Sequence, residues 1–139
     1  MRACEVAILL VNWRNTPDTL ACLEVLAGLV EAPLAVIVVD NGSGPEAAYR
    51  LAQGWAGLWQ KLGRQAPCVC REGDVLPEGR DCLLLLDDNR GFAGGNNAAL
   101  RALLHWPGCR AVWLLNNDTL PEPEALAALC AALNAEPKA

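Results

Sequence analysis

At 139 residues the chain is long enough for one domain with a real core and short for a complete two-substrate enzyme. It is 53% hydrophobic and 19% charged, with no low-complexity tract and no internal repeat, which excludes a disordered chain or a solenoid. The net charge is −5 and the few Lys and Arg are scattered, so nucleic acid is not an expected partner.

Val6 to Val11 is an unbroken apolar run ending at Asn12, Trp13 and Arg14, the pattern of a strand buried on both faces. Thr16-Pro17-Asp18 reads as a helix start, with Thr as cap, Pro at the first helical position and an acid in the first turn. Leu20, Leu23, Ala27 and Val30 follow at helical spacing and are expected to face the sheet, and Pro33 ends the segment. Leu34 to Val39 forms a second strand that stops on Asp40-Asn41-Gly42-Ser43. A second helix is predicted from Pro45 to Lys61, with Ala48, Leu51, Trp55, Leu58 and Leu62 on its apolar stripe.

From Gly63 to Asp81 the pattern breaks. Pro67, Gly73, Pro77 and Gly79 punctuate a polar surface excursion in which Cys68 to Arg71 forms one short strand. Leu83 to Leu86 restores a buried strand and runs into the segment from Asp87 to Asn97, after which Ala98, Leu100, Leu103, Leu104 and Trp106 describe a helix that stops at Pro107-Gly108. Ala111 to Leu115 is a further strand, expected to be covered on both faces, and it delivers Asn116-Asn117-Asp118-Thr119. Pro121-Glu122-Pro123-Glu124 opens a last helix that reaches Asn134. Strands alternating with helices across short connections imply an α/β fold, a mostly parallel sheet flanked by helices with right-handed crossovers.

Seven cysteines (Cys4, Cys22, Cys68, Cys70, Cys82, Cys109, Cys130) are an odd count at irregular spacing, several in apolar runs, which fits a reducing cytosol. The Cys68–Cys70 pair has no partner pair at zinc spacing and His105 is the only histidine, which argues against a structural zinc. No apolar run approaches the roughly 18 residues of a membrane span, and Glu5 is wrong for a signal peptide. The expected location is cytoplasmic, with the inner face of the membrane open to a longer form of the protein.

Four polar strand ends thus converge on one rim of one sheet, where open α/β sheets bind ligands. They are 12–16, 40–43, 87–97 and 116–119. Gly91, Gly94 and Gly95 allow close approach beside a helix N-terminus that offers free amides; alternatively, they let Phe92 tuck in and the helix pack tightly. Asp118 is placed to hold a divalent cation against a phosphate, or else it caps the following helix within a turn of Asn117 and Thr119. A dinucleotide fold would carry its glycines in the first strand-to-helix turn, whereas here they follow the later strand.

Val11-Asn12-Trp13, Val38-Val39-Asp40-Asn41-Gly42-Ser43, Asn89-Arg90-Gly91-Phe92-Ala93-Gly94-Gly95-Asn96-Asn97 and Leu114-Leu115-Asn116-Asn117-Asp118-Thr119 stand in that order. Together they resemble the family 2 glycosyltransferases of GT-A fold, most closely the bacterial rhamnosyltransferase-type branch. The resemblance spans nearly the whole chain apart from 63–81.

The resemblance implies a Rossmann-like nucleotide-sugar-binding half. In it Asp40 would accept from the base of the donor, the main chain of Val11 and Asn12 would wall base and ribose, and Asn41, Asn89, Gly91, Phe92, Gly95, Asn97 and Asn117 would line the donor pocket. Asp118 matches the last position of the family's Asp-x-Asp motif and would hold Mg²⁺ or Mn²⁺; Asn116 stands where the first Asp is usual. A single carboxylate is expected to bind the ion weakly without the diphosphate.

Residues 1–139 are accordingly expected to form the donor-binding part of an inverting glycosyltransferase acting on a dTDP-, UDP- or GDP-linked sugar. Its general base and its site for a glycan or lipid-linked acceptor lie beyond Ala139, and its product belongs to cell-surface glycan synthesis. The alternatives are a non-catalytic nucleotide-sugar-binding module and a nucleotidyltransferase of similar fold. A sheet without its later strands exposes an edge and apolar surface, which predicts a homo-oligomer.

Overall fold

Five strands and four helices alternate along a computed structural model that describes residues 5–136. They are β1 (Val6–Asn12), α1 (Thr16–Ala27), β2 (Ala35–Asn41), α2 (Pro45–Lys61), β3 (Cys68–Arg71), β4 (Cys82–Leu86), α3 (Gly91–Leu103), β5 (Ala111–Leu114) and α4 (Ala125–Ala135). Cys4 lies outside the described residues.

The strands form one all-parallel sheet in the order β3-β4-β2-β1-β5. Its centre is apolar because both faces are covered. Ile8, Leu10, Val36, Val38 and Leu83 pack with α1, α2 and α4 through Leu23, Leu51, Trp55, Trp59 and Leu126. Leu9, Ile37, Val39 and Leu84 pack with α3 through Ala98, Ala99 and Leu103. Trp55 and Trp59 are fully buried and meet edge to face at 5.7 Å; side chains of this kind contribute about 1.5–3 kcal/mol each on burial.

Asp81 fixes the amino-terminal side of the sheet. Its carboxylate accepts from the Val36 amide at 2.8 Å and from Trp59 Nε1 at 2.7 Å, and its carbonyl accepts from the Cys68 amide at 2.9 Å. One residue therefore joins β2, α2 and β3 just before β4 begins.

The chain departs from expectation at several boundaries. Helix α1 is capped at Asn15 rather than Thr16 and buries Thr19, Cys22, Leu23 and Leu26, while Val30 lies beyond it and is 68% exposed. The hydrophobic stripe is rotated because a threonine and a cysteine take core positions, a substitution that periodicity of large apolar residues does not reveal. On α2 Trp59 occupies the core and Leu62, past the helix end, is exposed. Helix α3 begins at Gly91, so the glycines lie in its first turns, and Trp106 follows the helix as a buried residue whose Nε1 donates to the Leu76 carbonyl at 2.8 Å. Among the described residues strand β5 pairs only with β1, and it is half-exposed rather than covered on both faces, with Leu114 47% exposed. No described helix is long and apolar enough to cross a membrane.

Candidate functional site

Strands β2 and β4 are neighbours, yet α2 after β2 covers one face of the sheet and α3 after β4 covers the other. Their carboxyl ends therefore flank a switch point, where α/β sheets receive ligands. Here the two connections are tied together. Gly42 has φ +78, and a Cβ on it would overlap the backbone of Asp88 and Asn89. Asn41 Nδ2 donates to the Gly91 carbonyl at 2.9 Å and to Asn89 Oδ1 at 3.3 Å, while its Oδ1 accepts from the Arg90 amide at 3.1 Å. Asn89 Oδ1 also accepts from the Gly91 amide at 2.8 Å. Arg90 reaches back to the excursion as a fork onto Glu72, at 2.5 and 2.6 Å, and these bonds hold the Glu72 carboxyl below the usual carboxylate range.

Between this turn and the end of β1 lies a cleft of about 280 Å³ lined by Val11, Trp13, Asn15, Asn41, Asn89, Gly91, Phe92 and Asn117. Trp13 and Phe92 are 48% and 56% exposed and give it two aromatic walls; its other side chains are chiefly amides. Such a lining presents donors, acceptors and ring faces without a fixed charge, which suits a polar ring system. The cleft is smaller than the roughly 300–1,000 Å³ of ligand pockets in general, so a nucleotide-sized ligand would extend out of it. A larger groove of about 600 Å³ lies between 71–78 and the end of α3, but none of the four polar strand ends contributes to it.

Of the residues expected to bind a donor, Val11, Asn41, Asn89, Gly91, Phe92 and Asn117 meet in this cleft. Gly95 lies beneath it, against Asn41 and Val11. Asn12 and Asp40 are each 1% exposed and point to the α1 side of the sheet. There Asn12 Nδ2 donates to Asp40 Oδ1 at 3.1 Å, the Ser43 amide donates to Asp40 Oδ2 at 3.3 Å, and Asp40 also borders a separate groove beside α2. Asn97 is exposed on the far side of α3, bordering a groove that runs to 109–112.

Three residues outside the expected set belong to the site. Trp13 and Asn15 line the cleft, and the signal for them was their place in the same polar strand end as Asn12. Thr19, fully buried, donates to Asn12 Oδ1 at 2.7 Å and accepts from Asn117 Nδ2 at 2.9 Å. A hydroxyl on the inward stripe of a helix was its only signal. Between Trp13 and Asn15, Arg14 has φ 52, its amide bonded to Ser43 Oγ at 2.8 Å and its guanidinium 5.0 Å from the centre of the Trp13 ring.

Asn116 to Thr119 form a turn closed by the Thr119 amide and hydroxyl on the Asn116 carbonyl, at 3.2 and 2.6 Å. Helix α4 starts only at Ala125, so Asp118 belongs to the turn and does not cap that helix. Asp118 is exposed and its carboxylate makes no hydrogen bond among the described residues. Beneath the turn, burial pushes the Cys22 thiol up to about 11; a hydrogen bond with Thr119 lowers it in part and the Asp118 charge raises it further. No group of three or more His, Cys, Asp or Glu among the described residues could hold a metal ion. Asp118 alone would supply one of the several oxygen ligands that a hard cation takes.

No protein-family model and no curated protein matches the chain. Among solved structures it is similar to residues 1–349 of TarS from S. aureus, a family 2 glycosyltransferase, with a TM-score of 0.57 at 16% identity over 97% of the chain. The chain spans 33% of that structure's length. The fold is therefore glycosyltransferase-like.

Proposed function

We propose that the chain is the donor-binding portion of an inverting glycosyltransferase of the family 2 type, which transfers a sugar from a nucleoside diphosphate to an acceptor hydroxyl. The observation that carries this reading is the cleft at the strand ends, where residues from four separate polar motifs gather in a glycosyltransferase-like fold. The aromatic walls and amides would hold the nucleoside or sugar ring by stacking and hydrogen bonds. Asn41 holds the 89–91 turn so that this wall is formed before the ligand arrives, which lowers the ordering cost of binding. Mg²⁺ or Mn²⁺ at Asp118 would offset the negative charge that builds on the departing diphosphate. Asp118 would fix the place of that ion.

No carboxylate lines the cleft. In this reading the general base and the glycan or lipid-linked acceptor site lie outside the cleft. A non-catalytic nucleotide-sugar-binding module is the second reading, favoured by the same carboxylate-free lining. The rhamnosyltransferase-type resemblance of the motifs supports a dTDP-linked sugar and cell-surface glycan synthesis, with UDP- and GDP-linked sugars as the other candidates.

Calorimetric titration with UDP, dTDP and GDP, each with and without Mn²⁺, tests the reading. Binding of one nucleotide, strengthened by Mn²⁺, is expected and names the base. Absence of heat and of competition by all three at millimolar concentration would overturn donor binding by this chain.

A further inference from the structure

We infer that Thr19 is a positioning residue of the cleft: it fixes the amide of Asn117 so that its oxygen, not its nitrogen, faces the ligand. This rests on the donor-binding reading for its functional consequence, but the geometry stands by itself. A carboxylate only accepts hydrogen bonds, so the contact between Asn12 and Asp40 must be made by Asn12 Nδ2, at 3.1 Å. Asn12 Oδ1 is then the atom that faces Thr19, and the single hydroxyl proton of Thr19 must go to it, at 2.7 Å. With its proton committed, Thr19 Oγ1 can only accept from the next group, and it does so from Asn117 Nδ2 at 2.9 Å.

The sense of each bond is therefore set by the charge on Asp40 and passed through two side chains to the turn that carries Asp118. Asp40 and its two intermediaries are held tightly: Asp40 and Asn12 are each 1% exposed and Thr19 is fully buried, so solvent has no access to reverse the order. The Ser43 amide on Asp40 Oδ2, at 3.3 Å, closes the far end of the chain of bonds. At the near end Asn117 lines the cleft, and its Oδ1 accepts no bond among the described residues. The polar atom offered there is an acceptor. A ligand hydroxyl or N–H, or a cation, matches it, and a ligand carbonyl or phosphate oxygen set directly against it is rejected. An asparagine free to flip would accept either.

The test has two arms. In the first, side-chain amide resonances and their exchange with solvent are followed by ¹⁵N NMR in Thr19→Val, Thr19→Ser and Asp40→Asn, without ligand. The Asn117 NH₂ pair is expected to shift and to exchange about tenfold faster in Thr19→Val, to remain near wild type in Thr19→Ser, and to be perturbed in Asp40→Asn although the carboxylate of Asp40 bonds to Asn12 and Ser43 and not to Thr19 or Asn117. An Asn117 amide unchanged in Asp40→Asn and in Thr19→Val overturns the inference. If Thr19→Val does not fold, Asp40→Asn and Thr19→Ser still decide it.

In the second arm the nucleotide bound by the wild type is titrated into the same variants. Affinity about tenfold weaker in Thr19→Val and restored by Thr19→Ser, in step with the Asn117 amide of the first arm, supports the positioning role. Equal affinity in Thr19→Val removes the role in binding. A wild type that binds no nucleotide overturns the donor-binding reading instead, while the first arm still decides how Asn117 is held.

Discussion

A Cβ added to Gly95 would lie 3.0 Å from Asn41 Nδ2 and 3.1 Å from Val11 Cγ1. Asn41 has little room to yield, because its amide is committed to Asn89, Arg90 and Gly91. Gly95→Ala should therefore cost about 1–3 kcal/mol by overpacking, offset by roughly 1 kcal/mol of gained helix propensity. The expected net is a protein about 1 kcal/mol less stable to urea whose cleft wall is displaced and whose nucleotide affinity falls. Gly57 in α2 is the control, since nothing lies within 4 Å of its added Cβ. Gly57→Ala should raise stability by about 0.5–1 kcal/mol; equal stabilisation by both alanines would show that Gly95 is not packed against Asn41.

Asp81 is the joint between sheet and excursion. Removing its carboxylate leaves Trp59 Nε1, on a fully buried ring, without an acceptor and frees the first amide of the β2 ladder after Ala35. Asp81→Ala should lower the unfolding free energy by about 2–3 kcal/mol, with Asp81→Asn recovering part of it through the one oxygen it retains. Urea unfolding measures this, and near-neutral behaviour of the alanine variant would mean that other groups fix β3 against β4.

Two thiols give stability an alkaline limit. Burial pushes Cys22 up to about 11 and Cys82 up to about 12, against 9.0 when unburied. The folded state thus keeps both protons to higher pH than the unfolded chain. Their contribution is fully present below pH 9 and is lost as pH rises through the folded values. Linkage predicts that stability drops by roughly 2–3 kcal/mol between pH 8 and pH 10 from these two groups. Urea midpoints across that range should fall, and should fall less in Cys22→Ser, whose hydroxyl does not titrate there. A flat profile would mean that the thiols open to solvent well below global unfolding.

The parallel sheet was legible because strands buried on both faces carry long apolar runs, as in Val6 to Val11, and because each run ends in a polar cluster. That Asn41, Asn89 and Asn117 stand at one rim followed from the parallel direction of the strands that deliver them. What could not be read was the direction of side chains at a strand end. Asn12 and Asp40 occupy paired positions that point toward α1, whereas Val11 and Asn41 point toward α3. That alternation divides one motif between a buried network and an open cleft. Thr19 escaped notice for a related reason, since a small hydroxyl at a core position is invisible to a pattern built on large apolar residues. The half-exposed state of β5 depends on its having β1 as its one partner, a fact of strand order that the composition of Ala111 to Leu114 conceals.

Asp118 separates stability from binding more cleanly than any other residue of the site. Its carboxylate is exposed and makes no hydrogen bond among the described residues, while the turn around it is closed by Thr119 on the Asn116 carbonyl. Asp118→Ala should therefore change the unfolding free energy by no more than about 0.5 kcal/mol. Cys22 beneath it should titrate at slightly lower pH, because one nearby negative charge is gone. In the titration series the Mn²⁺-dependent part of nucleotide affinity should vanish, leaving the metal-free part unchanged, since the cleft itself does not include Asp118. The complementary variant is Asn116→Asp, which places a second carboxylate on the same turn. Hard cations respond to the number of charged oxygens, so this variant should bind Mn²⁺ more tightly before any nucleotide is added. If Asp118→Ala retains the full effect of Mn²⁺ on nucleotide affinity, the ion is held elsewhere and the assignment of Asp118 is wrong.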